Sequence, residues 1–398
     1  MENNRYLLRM ALFTAAYYIT NSIYQSYMSL YYTSKRFSSM QIGAINACVA
    51  LFSLLGQPLW GSVADRSTSR RRVIALLCTA SSCIALAFTF TGSFIHLILL
   101  AGIFAFFYTA IQPMGDAVIL DKLNESGRPF GPLRLYGCAA FALSGFIFGR
   151  IMDARASSAL VPLSASALCL LTGLSAFLLP LSTGGRSAGG RRMSIVSLLR
   201  HRNLVRLLCL MAPVQITMGY FYTFFSPHFM DLSGANARLL GACYLISAAC
   251  EVPFLLTADR LFDRFGAGRL MCTAALALSV RWSILAFART AYAAMFSQIF
   301  HGWGFIVMTV CMAKYISRTV PKGLQASGQM LLAIVSFGIA RITGNLGGGL
   351  LAEAIGRQNV FFVCAGLCLA AACIFVPGYL RRPPLNGRSS DENAPSGV

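Results

Sequence analysis

Asp116, Arg134, Glu251, Arg281, His301 and Arg341 all lie within long apolar stretches or at their ends. A carboxylate or guanidinium near the centre of a bilayer costs about 2.5–3.5 kcal/mol even on the mild insertion scale, so each needs a partner, a wet cavity or a proton. Two chemistries fit. One is recognition of a polar solute through charge-assisted hydrogen bonds, for which Asp116 and the arginines offer both signs. The other is proton transfer. Glu251 lies between Cys250 and Val252-Pro253, and a carboxyl held away from water favours its neutral, protonated form. His301 is a second proton-accepting group, or else a hydrogen-bonded packing residue. Plainer roles stand beside the rest. Asp116 and Arg134 flank a turn containing Pro129, Gly131 and Pro132, so they could lock a helical hairpin as an ion pair. Glu251 could bond to a neighbouring helix, and Arg281 and Arg341 could be its partners or anchors for an anionic solute.

A second constellation repeats. Gly61 precedes Asp65-Arg66 and the run Arg70-Arg71-Arg72, and almost half of the chain later Asp263-Arg264 is followed by Arg269. Either copy could be an ordinary solvated turn. An acid at a helix end beside a tight basic turn can also cap a neighbouring helix N-terminus in one conformation and release it in another.

These residues need apolar elements to hold them. Of 398 residues, 57% are hydrophobic and 12% charged, with a mean hydropathy of +0.65, against about 25% charged in soluble domains. Spans long enough to cross ~30 Å of hydrocarbon are predicted near 7–32, 42–64, 73–91, 94–120, 133–152, 158–180, 203–228, 239–259, 270–288, 291–313, 323–350 and 358–380. The first is diluted by Asn21, Ser22, Gln25 and tyrosines, polar residues that in a span face a bundle interior. A punctuated pattern returning after half the length predicts an all-α membrane protein, with twelve transmembrane helices in two pseudo-symmetric six-helix bundles. The bundles are expected at 1–181 and 203–380, with a Gly/Ser/Arg linker over 182–202 and a disordered tail over 381–398. Glycine pairs such as Gly145/Gly149 and Gly344/Gly348 should let neighbouring helices approach closely.

The net charge of +20 does not gather on one soluble face as a nucleic-acid site requires. Most of the Lys and Arg fall in alternate short loops on the side of the N-terminus, which predicts both termini in the cytoplasm. The 13 cysteines fall within predicted spans without a CxxC pair in a loop, so neither a disulfide framework nor a metal site is expected. Cys364 and Cys368 read as packing residues. The first span lacks a cleavage-site pattern and reads as a retained helix. Nothing resembles a P-loop or a nucleophile–base set, so neither an ATP-driven pump nor an enzyme is expected.

Residues 61–72 resemble the loop 2–3 motif of the major facilitator superfamily, with its usual second glycine replaced near Ser67 to Ser69. Leu51 to Gly61 and Phe130 to Cys138 resemble lactose permease and related oligosaccharide–proton symporters. The resemblance implies that Asp116 and Arg134 hold substrate, with Phe141 where the family has a tryptophan that stacks on the sugar ring. It places Arg281 and His301 on the family's helix 9 arginine and helix 10 histidine. It also shows departures. The helix 10 carboxylate tied to proton coupling is Gly304, and the helix 8 carboxylate position is Ala248. Glu251 falls where the permease has a sugar-contacting asparagine. Two helix 7 aspartates are Ile216 and Gly219, and their lysine partners are Phe337 and Gln298. Glu251 to Pro253 and Gln298 to Gly302 look more like phenylpropionate-permease and nucleoside-symporter relatives.

The expected function is secondary transport of a small organic solute (a sugar, nucleoside or aromatic acid) with protons, by alternating access, in the plasma membrane. Substrate contacts are expected from Asp116, Arg134, Phe141, Glu251 and Arg281. Proton coupling is assigned to Glu251 and His301, and conformational balance to Gly61, Asp65, Arg66, Asp263 and Arg264. No cofactor is expected, and the unit is expected to be a monomer. The alternatives are a proton-antiport exporter of apolar compounds, favoured by a cavity of Phe, Met and Tyr, and a sensor with a transporter-like fold, favoured by the lack of a buried titratable group.

Overall fold

The computed structural model describes residues 2–155, 157–182, 198, 200–321 and 324–380. Twelve helices run through them. These are α1 (Glu2–Ser34), α2 (Ser39–Arg66), α3 (Arg70–Ala87), α4 (Phe94–Glu125), α5 (Gly131–Arg155), α6 (Leu160–Ala176) and α7 (Arg202–Met230). Then come α8 (237–265), α9 (267–287), α10 (Ala291–Thr319), α11 (Ser327–Ile355) and α12 (Arg357–Leu380).

Local chemistry sets several boundaries. Ser38 and Gln41 form a reciprocal capping box that starts α2. Asn236 accepts from the Leu239 N–H at 2.8 Å and starts α8. Helices α8 and α9 join without a loop, and the chain turns back at Gly266, whose φ of 75° suits a residue without Cβ. Unbroken, the stretch Ala237–Phe287 of 51 residues would be roughly 76 Å long, over twice the hydrocarbon thickness. It therefore supplies two crossings. Eight further helices are long and apolar enough to cross on composition alone. Helix α6 is a shorter apolar helix of 17 residues, and α1 is the diluted one. The polar residues of α1 point inward, as Tyr27, Tyr31 and Ser22 donate to the carbonyls of Gly145, Phe88 and Phe141.

Helix ends depart from the expected spans where a helix continues past its apolar run. Helix α4 extends to Glu125, past the expected end at 120, so Asp116 lies more than two turns from its end. The expected linker lies almost wholly outside the described residues, as does the tail at 381–398.

In the first half α1 packs on α5 and α6, α2 on α4, and α3 on α4 and α6. In the second, α7 packs on α11 and α12, and the α8–α9 pair on α10 and α12. The halves meet along α2–α11, α5–α8 and α1–α7. Their close approaches lie toward the ends opposite Asp65 and Asp263. A Cβ on Gly43 would strike the Asn345 carbonyl, and one on Gly149 would strike that of Ala237. Asp153 at the end of α5 accepts from the N–H groups of Ala237 (2.8 Å) and Arg238 (2.9 Å), capping α8 across the boundary. Ser226 donates to the Ser26 carbonyl at 2.7 Å, and the Met40 N–H donates to Glu353 at 3.3 Å. Leucines and isoleucines such as Leu76, Leu171, Leu174 and Ile374 face outward, the arrangement of a protein solvated by lipid.

Candidate functional site

Between the halves lie two adjoining cavities of ≈ 330 Å³ and ≈ 200 Å³, which share Asn21, Gln25, Gln112 and Tyr222 in their walls. Arg134, Phe141, Glu251 and His301 line the smaller one, and Arg341 lines the larger.

Arg134 NH1 lies 3.6 Å from Asp116 Oδ2, so the hairpin does bring the two together. The arginine is 46% exposed and the aspartate 26%; this is an open rim pair, with room for a third polar group. Arg134 also sits over Tyr18, 5.5 Å from the ring centre, and the Tyr18 hydroxyl accepts from Gln112 at 3.0 Å. Asp116 itself stands behind Arg134 and does not line the cavity.

On the opposite wall, Glu251 Oε1 is 3.3 Å from His301 Nε2, and His301 Nδ1 is 2.8 Å from Arg281 NH1. The guanidinium has only donors, so Nδ1 must be the lone-pair nitrogen. The hydrogen-bond network therefore assigns a neutral imidazole with its proton on Nε2, donated to Glu251. In this arrangement His301 cannot take a second proton without losing Arg281. Arg281 is fully buried. It donates to Gln298 Oε1 at 2.7 Å and lies over Phe221 at 4.1 Å. Ser247 donates to the same Gln298 oxygen at 2.8 Å. Arg281 lies outside the lining of both cavities; it meets them through His301 and does not itself face a solute. Gly302 permits the arrangement, because a Cβ there would strike the Cys250 carbonyl beside Glu251. Leu278 fills the space that a side chain at Gly304 would need, so the departure at Gly304 leaves no void.

The roles of Gln298, Tyr18, Gln112 and Tyr222 were not singled out from sequence. The signal was weak. Gln298 and His301 sit one turn apart, but an uncharged amide in a span shows its importance only once its partner is known.

Asp65 holds Arg70 at 3.0 Å, and Arg70 reaches Asp121 at 2.8 Å, tying α2, α3 and α4 together. Asp263 pairs with Arg318 and ties α8 to α10. Arg264 stacks on Phe265, and Arg66 is exposed. A Cβ on Gly61 would meet nothing within 4 Å. Gly61 and Asp65 instead line a third, mainly apolar cavity of ≈ 570 Å³ between α2, α4 and α11, which shares Gln57 with the larger of the first two.

A family model described as the MFS_1 like family matches residues 7–363. The chain is 29% identical over 337 residues to the maltose permease of Geobacillus stearothermophilus, covering 82% of this chain and 83% of that one. It is 23% identical to the probable 3-phenylpropionic acid transporter of Escherichia coli (strain K12), covering 93% and 97%. Among solved structures, the nucleoside transporter NupG superposes with a TM-score of 0.80 at 18% identity, covering 94% of this chain and 99% of that one.

Proposed function

Because this chain belongs to the MFS_1 like family of the major facilitator superfamily, we propose that it is a proton-coupled symporter of a small organic solute. It is a multi-pass membrane protein whose relatives are solute permeases. The observation that supports the finer reading is the hydrogen-bonded chain Glu251–His301–Arg281, whose Glu251 and His301 line the cavity between the halves. Arg134 and Phe141 form the facing wall for the solute, with Asp116 holding Arg134 from behind.

A proton reaching Glu251 neutralises the carboxylate that His301 supports. That weakens the hold of the imidazole on Arg281 and changes the field across the cavity. Solute bound against Arg134, which Asp116 orients, then favours closure of the rim at the Asp65 and Asp263 ends, while the Asp153 cap opens. The units 1–181 and 203–380 rock as bodies about the α2–α11 and α5–α8 contacts, with the ties at Asp65 and Asp263 exchanging partners. We place the protein in the plasma membrane as a monomer with both termini cytoplasmic, so the present conformation is inward-facing.

Amide side chains such as Asn21, Gln25, Asn46 and Gln112 share the cavity walls with tyrosines, which weighs against an exporter of apolar compounds. The titratable chain weighs against a non-transporting sensor. The test is a thermal-shift screen of purified protein against sugars, nucleosides and aromatic acids, then uptake of each hit into proteoliposomes with and without an inward proton gradient. Uptake that ignores the gradient for every hit would refute proton symport.

A further inference from the structure

Arg341 has no place in the machinery above. It projects from α11 into the larger cavity, over Tyr222 with 4.2 Å between guanidinium carbon and ring centre. Among the described residues it has neither a carboxylate nor a hydrogen-bond acceptor, in contrast to Arg134 and Arg281. Among the described residues no acidic one lines that cavity. In the open cavity the half-buried guanidinium is left to solvent and the face of Tyr222, with no counter-charge from the described residues within reach. Directly before Arg341, α11 makes a π-helical turn, Ile334–Ile339. Such turns re-aim the residues that follow and recur at functional sites.

The rest of the wall narrows the ligand. Tyr17 stacks on Tyr108 at 5.6 Å, and Tyr24 lies against Phe104 at 4.5 Å, giving the cavity a flat aromatic side. Asn46, Gln57, Ser29 and Asn345 contribute amides and hydroxyls around it. Asn46 already donates to the Ile42 carbonyl and Asn345 accepts from Thr223; ring hydroxyls would bond their remaining polar atoms together with Gln57 and Ser29, which a plain aromatic ring cannot do.

We propose that the larger cavity is an anion subsite in which Arg341 clamps the carboxylate of a hydroxylated ring acid, the chemical class of uronates and related sugar acids. The inference rests on the transport reading but not on Glu251 as the proton carrier. The planar fork of Arg341 meets both carboxylate oxygens, Tyr222 holds its other face, and the amides of α1 and α2 bond the ring hydroxyls.

The test is equilibrium binding to the purified full chain, with no gradient, using galacturonate, glucuronate and their glycosides beside the neutral parent sugars and phenylpropionate. The acids should bind on the order of 10- to 100-fold more tightly than their neutral parents. In Arg341→Gln that ratio should collapse to about one, and Arg341→Lys should restore part of it. Retention of the ratio in Arg341→Gln would overturn the proposal, as would equal binding of acids and parents to the wild type. Preference for phenylpropionate over every sugar acid would also overturn it. Failure of all these probes to bind would overturn this inference and leave the transport reading to the wider solute screen, whereas loss of proton coupling with the acid preference intact would leave this inference standing.

Discussion

Asp153 is the most informative place to perturb the conformational balance. It belongs to the first half, yet both carboxylate oxygens accept from the first N–H groups of α8, at 2.8 and 2.9 Å. Those bonds can exist only while α5 and α8 are closed at this end. Asn236 caps the Leu239 N–H independently, so α8 keeps its start when Asp153 is removed. Loss of an N-cap acid costs about 0.5–2 kcal/mol, and Asp153 adds a charge beside the positive end of the helix dipole. Because its surroundings are exposed, we expect about 1–2 kcal/mol for Asp153→Ala. That corresponds to about a 5- to 30-fold shift in population toward the conformation open at this end. Spin labels at Ser93 and Arg289, in loops of opposite halves at the sealed end, should report it as growth of a longer-distance population. An unchanged distance distribution with lowered thermal stability would show that Asp153 is a static cap, and the closure argument would fail.

Asp116→Asn and Arg134→Gln should each abolish solute binding while leaving the protein folded; full transport in the double neutral variant would make the pair a structural bridge. Asp65→Asn removes one of two carboxylates on Arg70, at a site 49% exposed, so stability should change by no more than about 1 kcal/mol. Cysteine accessibility from the two sides should nonetheless shift, and accessibility identical to wild type would count against a conformational role. Gly302→Ala forces a Cβ into the Cys250 carbonyl and should cost about 1–3 kcal/mol. It should also impair coupling by moving Glu251 from His301; a variant that matches wild type in both melting temperature and coupling would show that α8 and α10 have slack there.

The apolar runs and their charged punctuation made the helical architecture legible, because each crossing must be long, apolar and bounded. Asp116–Arg134 was legible because the two charges interrupt apolar runs on either side of one short turn, although the longer α4 sets Asp116 more than two turns from that turn. Arg281 was harder. Its charge marked it as exceptional, but only the structure shows that Gln298 and His301 absorb it behind the cavity wall. Asp153 was illegible because a charged residue at a helix end looks like any other solvated one, and its partner is backbone on a helix in the other half. The merger of α8 and α9 was hidden by a single glycine, since Gly266 turns the chain without a polar loop.

The most direct test of the central claim is transport by Glu251→Gln in proteoliposomes, using whichever solute gives the largest thermal shift with wild type. The amide keeps the shape of the side chain but cannot cycle a proton. Accumulation driven by a pH gradient should vanish, while exchange of labelled solute across the membrane persists. Accumulation at the wild-type level in that variant would contradict the account and move the proton to Asp116.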